Sequence, residues 1–222
     1  MYTKRQILLT ALLLLTAAAT QAQFTGTGTG INTDPYIITT AAQLDEVRNH
    51  LDKHFRLGND IDLTDYLASG GDGFAKWGAA GWIPIGNYSP NGPFTGTLNG
   101  GGHKITGLWI DRSSTDEVGL FGYTLVGSKI DSLGVEIAAK GIKGNEYVGG
   151  LVGDSRGTIS NCYATGKVSG TDYVGGLVGL NNSGIFNCYA TGNVTGTGNA
   201  VGGLVGVNNG YISNCYATGN VT

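Results

Sequence analysis

Within Cys162-Tyr163-Ala164-Thr165-Gly166-Lys167-Val168-Ser169, small or apolar residues alternate with polar ones at a period of two. That period belongs to a strand with one buried face. The position held by Lys167 becomes Asn193 and Asn220 in two later copies of the stretch, while Val168, Val194 and Val221 hold the next position. A site that tolerates charge faces water. Cys162, Ala164, Gly166 and Val168 are therefore predicted to point inward, and Tyr163, Thr165, Lys167 and Ser169 outward. Leu151, Ile159 and their equivalents complete the predicted interior. Gly and Asn punctuate these short runs as turns, Pro is absent from the repeats, and no stretch in them has the i, i+3, i+4 apolar spacing of a helix.

The alternation sits inside a larger period. VGGLVG followed by NCYATG spans residues 148–166, 174–192 and 201–219, and the cysteines at 162, 188 and 215 set a register of 26 and 27 residues. A fourth, divergent block is Gly119-Leu120-Phe121-Gly122. A period of that size marks a stacked array. With strands as its elements, each repeat is one coil, and the rise per coil is the strand spacing of about 4.8 Å. The predicted fold is all-β, a right-handed parallel β-helix, thin because Gly, Ala and Cys recur inside it. Asn161, Asn187 and Asn214 fall where strand turns to strand, where they are expected to stack as an amide ladder or to take the left-handed conformation.

Upstream the pattern changes. Lys4 and Arg5 precede an apolar run over 7–19 and small residues at Thr20-Gln21-Ala22, the form of a secretory signal. Residues 1–22 are read as that signal, cleaved after Ala22 or alternatively after Ala19. The run is too short for a membrane span, and no cysteine follows it for lipid anchoring. Residues 23–33 are read as a flexible leader, because 25–30 contain only Gly and Thr; lacking Lys, they form no phosphate-binding loop. Residues 34–117 are predicted to be an N-terminal cap and irregular first coils, with strands over 35–39, 55–63, 82–85, 94–98 and 104–110. Thr40-Ala41-Ala42-Gln43 has capping-box form, and Leu44, Val47 and Leu51 share one face. This single helix is expected to cap the open end of the β-helix against edge pairing. Repeats then fill 118–222, divided as 118–147, 148–173, 174–200 and an incomplete 201–222. The chain stops at Val221-Thr222 without a polar capping unit, so continuation in a longer protein or end-to-end self-association is expected.

Charge and chemistry narrow the function. The chain has 13 Lys+Arg against 16 Asp+Glu, a net charge of −3. It has no basic run, so nucleic acid is excluded as a partner. His50 and His54 have the i, i+4 spacing of a zinc-peptidase helix, but Leu51 stands where that motif needs Glu; both are expected on the exposed face of the capping helix. Asp60, Asp62 and Asp65 lack the Gly and Glu of a calcium loop and read as surface and turn carboxylates. The three cysteines stack, but side chains in register point the same way, so a buried thiol ladder is expected rather than a disulfide. No metal and no cofactor are expected. The charged residues between 148 and 222 are Asp154, Arg156, Lys167 and Asp172, and none recurs from coil to coil. Asp111, Arg112, Asp116, Glu117 and Lys104 upstream show no catalytic spacing, and no catalytic residue is assigned. The outward faces offer binding instead. Tyr163, Tyr189 and Tyr216 form an aromatic column beside Thr165, Thr191 and Thr218, with Ser169, Thr195 and Thr222 further on. A Thr lattice could also match ice, but Lys167 interrupts it.

The VGGLVG blocks with their NCYATG continuation resemble the GLUG motif of bacterial surface proteins. The preceding segment resembles the region that introduces such repeats, through Asp34-Pro35-Tyr36, Gln43-Leu44, Asn59-Asp60-Ile61-Asp62-Leu63, Trp82-Ile83-Pro84-Ile85-Gly86, Phe94-Thr95-Gly96-Thr97-Leu98-Asn99-Gly100 and Val118-Gly119-Leu120-Phe121-Gly122. The resemblance implies a secreted or surface-displayed, adhesin-like, non-enzymatic protein whose partner is a glycan or a protein of a host or neighbouring cell. It carries over no catalytic residue. Such repeats also occur as accessory parts of large secreted peptidases, and a polysaccharide lyase or hydrolase is the enzymatic alternative on a β-helix.

Overall fold

The computed structural model describes residues 23–89 and 92–222. Residues 1–22, read above as a secretory signal, lie outside the described residues. A regular coil consists of strands Asp172–Gly175, Val178–Asn181, Gly184–Phe186, Tyr189–Thr191 and Val194–Gly196. Each pairs in parallel with its equivalents one coil away, as in Val152 to Val178 to Val205 and Ala164 to Ala190 to Ala217. The strands build four parallel sheets of seven, four, eight and three strands. The fold is a parallel β-solenoid, as the periodicity predicts. Cys162, Ala164 and Val168 are buried, Lys167 is exposed, and the predicted parity holds.

Close approach of backbone to backbone explains the VGGLVG block. A methyl group at Gly175 would stand 2.0 Å from the Val178 carbonyl oxygen and at Gly179 2.6 Å from the Tyr147 carbonyl carbon, so the three- and four-stranded sheets meet with no room for side chains. At Gly176 it would stand 2.3 Å from the carbonyl oxygen of Gly203, the equivalent residue one coil on, and Leu177 fills the interior beside these contacts. Polar columns close the turns. Asn161, Asn187 and Asn214 have φ of 53°, 53° and 54°, and the Nδ2 of Asn214 and of Asn187 each donate to the preceding Asn Oδ1 at 3.2 Å. Ladder and left-handed backbone, expected as alternatives, occur together. Asn181, fully buried, donates to Asn208 Oδ1 at 2.6 Å and accepts from Ser183 N at 3.2 Å. The extra residue of the repeat 174–200 is absorbed at 197–199, where Asn199 N donates to Asp172.

The first coils are wider and less regular. Tyr36–Ile38, His54–Leu57, Thr97–Asn99 and Lys129–Asp131 are successive strands of the seven-stranded sheet. Phe55, Trp82, Phe94 and Phe121 fill their interior. The strand expected over 82–85 forms one isolated bridge, Ile85 with Phe121, and Gly81 just ahead of it bridges Ile110. Trp82 is anchored instead by its Nε1, which donates to Leu120 O at 3.1 Å.

The helix Ala41–Glu46, extended by a 3-10 turn over Val47–Asn49, starts as expected: Thr40 Oγ1 accepts from Gln43 N at 3.2 Å. The reciprocal bond lands one residue early, from Thr39 N to Gln43 Oε1 at 2.7 Å. Leu44 and Val47 are fully buried, whereas Leu51 lies beyond the helix and is half-buried. It is not the single helix. Thr64–Leu67 and Asp72–Trp77 are helical but shorter than the run over which an apolar period can be recognised. They bring Tyr66 and Lys76 onto Asp45, which accepts from Tyr66 OH at 3.0 Å and Lys76 Nζ at 2.6 Å and pairs with Arg48. Burial raises the Asp45 carboxyl, but the two cations outweigh it and hold the group below its ordinary range.

The expected flexible leader is a correction. Phe24 is 3% exposed and stacks on Tyr36 with ring centroids 4.5 Å apart. Thr27 bridges Ile37 in antiparallel fashion, and Thr25 N and Oγ1 each donate to Glu46 at 2.8 Å. Phe24, just ahead of the Gly/Thr run, supplies the anchor that the run lacks. This segment covers the outer edge of Tyr36–Ile38, the terminal strand of its sheet, through the Thr27–Ile37 bridge, and so protects that edge from pairing.

Candidate functional site

Parallel strands in register force identical side chains to stack at the strand spacing. Tyr163, Tyr189 and Tyr216 accordingly stack with ring centroids 4.9 and 5.1 Å apart and planes 6° from parallel. The stack begins against backbone, because a methyl at Gly134 would lie 2.3 Å from Tyr163 Cζ. Ring faces turn toward one another. The surface therefore offers ring edges and a row of hydroxyls, with Thr165, Thr191 and Thr218 two residues further along each strand. Further on, Thr195 Oγ1 lies 3.2 Å from Thr222 Oγ1, while Ser169 Oγ donates to Ile142 O at 3.1 Å. Burial pushes the Tyr163 and Tyr189 phenols up, reinforced by Glu136 and a neighbouring Tyr, so both are neutral donors at physiological pH.

A second stack was not foreseen. Tyr147 and Tyr173 lie 4.8 Å apart with planes at 6°, both at φ 55°. The third copy has Ala200 there, and the divergent coil has Glu117, also left-handed. Comparing the residues that precede each VGG block would have revealed it. Nearby, Glu117 accepts from Tyr88 N at 2.8 Å, and Asp154 accepts from Asn182 Nδ2 at 3.1 Å with Arg156 3.6 Å away. Burial raises both carboxyls.

The other candidate groups have structural roles. Each cysteine donates Sγ to the carbonyl two residues back, Cys162 to Ser160 at 3.0 Å, Cys188 to Phe186 at 3.1 Å and Cys215 to Ser213 at 3.2 Å. Cys162 N and Cys188 N donate to the next coil's sulfur at 3.4 and 3.3 Å. All three are free thiols, and burial pushes Cys162 up. His50 and His54 require correction, because they do not share an exposed helix face. The chain turns after Asn49, leaving His50 5% exposed against Phe24 and Tyr36. His54 lies on the next strand, Nδ1 2.8 Å from Thr97 Oγ1. Asp60 accepts from Lys104 N at 3.1 Å and Asp62 from Thr64 N at 2.8 Å. Among the aromatics of the first coils, Arg48 sits 5.0 Å from both the Trp77 and Trp82 rings, Lys140 covers Trp109, and Tyr88 is 73% exposed.

Residues 144–169, 170–195 and 197–222 each match the GLUG motif family. The regular coils are GLUG repeats. The family frame opens ahead of the second stack, so it includes Tyr147, Tyr173 and Ala200. The chain is 40% identical over 139 residues to a candidate Gly-rich membrane protein of Evansella cellulosilytica, covering 60% of this chain and 15% of that one. It is 37% identical over 140 residues to halomucin of Haloquadratum walsbyi, covering 63% of this chain and 2% of that one. It thus spans a small part of the length of these relatives. In fold it is similar to a candidate immunoglobulin A1 protease of Bacteroides ovatus, with a TM-score of 0.55 and 24% identity over 88% of this chain and 69% of that one. At that identity the likeness is one of fold alone. Among the described residues no helix is long and apolar enough to cross a membrane.

Proposed function

We propose that this GLUG-repeat protein is exported and displayed at a cell surface, where it binds glycan or protein without catalysis. The contact face is Tyr163, Tyr189 and Tyr216 with Thr165, Thr191 and Thr218. The observation that carries this reading is the in-register tyrosine stack, with its centroids 4.9 and 5.1 Å apart. It presents the same hydroxyl at each coil, and stacked rings lose little side-chain entropy on binding. Each contact is weak, and affinity comes from their number on one stiff support. The names of the two relatives, a candidate membrane protein and a halomucin, support surface display.

A glycan array probed with the wild type and with a Tyr163→Ser, Tyr189→Ser, Tyr216→Ser variant tests the reading. Loss of binding with an unchanged circular-dichroism spectrum is expected. An unaltered array would place recognition elsewhere. Glu117 and Asp154 are the carboxyls that burial raises, as a hydrolytic acid needs. Asp154 is 6% exposed and already held by Asn182 and Arg156, so incubation with pectin is expected to release no new reducing ends.

A further inference from the structure

We propose that a cleft on the outer face of the seven-stranded sheet is a separate binding site, which takes a carboxylate-bearing sugar. It does not depend on the tyrosine stack, which belongs to the eight-stranded sheet. The cleft measures about 370 Å³. Its floor is three neighbouring strands in register, with His54 paired to Thr97 and Thr97 to Lys129, and Arg56 paired to Asn99 and Asn99 to Asp131. Phe55 and Leu98 between them are buried, so pleat alternation turns these polar residues outward. One wall is the turn carrying Asn32 and Thr33. It is fixed by Asp34 N to Ile31 O and His54 N to Gly30 O, both 3.0 Å.

The donors and charges of the cleft select the ligand. The chain is net acidic, yet Arg56 and Lys129 both stand exposed here. Asp131 is the single carboxylate in the lining, and its oxygens already accept from Ser160 Oγ, Asn161 Nδ2 and Ser132 Oγ. Among the described residues no hydrogen bond or ion pair holds the Arg56 side chain, whose backbone is taken up by the strands on either side. Its planar fork of donors fits a carboxylate in bidentate fashion. Asn99 Oδ1 accepts from Gly101 N at 2.8 Å, which leaves its amide hydrogens to donate. The matching ligand is anionic and rich in hydroxyl acceptors, the chemistry of a sugar acid.

Isothermal titration of the full chain with trigalacturonate, its methyl ester, 3′-sialyllactose and lactose tests this. An acid sugar is expected to bind, more weakly as NaCl is raised, while the methyl ester and lactose do not. Binding by trigalacturonate assigns the carboxylate to a sugar chain, and binding by sialyllactose alone assigns it to a chain end; either supports the site. Arg56→Gln should weaken binding about tenfold or more, with Lys129→Gln as a second variant should the first fail to fold, and the triple Tyr→Ser variant should bind unchanged. Equal binding by acid and ester, unchanged binding by the folded Arg56→Gln and Lys129→Gln variants, or binding by neither acid would overturn the proposal.

Discussion

The GLUG coils and the coils before them solve the same problem with opposite materials. In the GLUG coils the interior is narrow, the sheets touch through Gly175 and Gly179, successive coils touch through Gly176 and Gly203, and the Asn turns are satisfied by the equivalent residue one coil away. In the first coils Trp82, Phe55, Phe94 and Phe121 hold a wide interior open, and a single charge cluster around Asp45 ties three helical segments together. Stability in the first region is spread over many equal contacts with no slack. In the second it is concentrated in a few large side chains. A nearest-neighbour solenoid should therefore fail in different ways at its two ends.

The largest effect should come from the wide end. Trp82→Ala removes a fully buried ring and its bond to Leu120 O, and urea titration should show a loss of about 3–5 kcal/mol. Tryptophan fluorescence should report unfolding of the first coils before far-UV circular dichroism reports the loss of the GLUG coils. Coincident transitions would break the contrast. In the thin end Gly176→Ala adds one carbon against the Gly203 carbonyl, 2.3 Å away. This overpacking should cost roughly 1–3 kcal/mol, far more than one methyl costs on a surface. A neutral outcome would show that successive coils can part at this column.

Acidification separates the regions by sign. The Asp45 carboxyl is lowered in the folded state, so its contribution is present above the unfolded value near 3.9 and is lost as pH falls through the lower folded value. Glu117 and Asp154 are raised; their contribution is present below the unfolded carboxylate values and is lost as pH rises through the folded ones. Asp45→Asn should flatten the acid limb of the stability profile, and Glu117→Gln should leave that limb in place. The smallest effect is at Asn187, where Asn187→Ala should cost about 1 kcal/mol for its two exposed ladder bonds and the left-handed φ of 53°. Asn187→Gly should cost less, since Gly accepts that backbone freely.

The same contrast governs what could be read from the sequence. Repetition made the GLUG coils legible: one comparison of Lys167, Asn193 and Asn220 set the parity, and the cysteine spacing set the coil. Non-repeating contacts were opaque. Phe24 reaches Tyr36 across residues that look featureless, the turn after Asn49 sends His50 and His54 to different surroundings, and the helices at 64 and 72 are too short to show a period. The tyrosine stack was legible for the same reason as the fold. Tyr147 and Tyr173 were overlooked because the third copy breaks their column with Ala200. The cleft at Arg56 needed three strands distant in sequence, and nothing local announces it.

The repeat 174–200 is longer than the repeat 148–173, and the difference is taken up at 197–199, beside Asp172, while the strands on either side keep their partners. Length is thus decoupled from alignment at one corner of the coil. Sequence can be gained or lost there without moving a single inward side chain, so the shaft can stay constant while the ornament it carries at that corner diversifies.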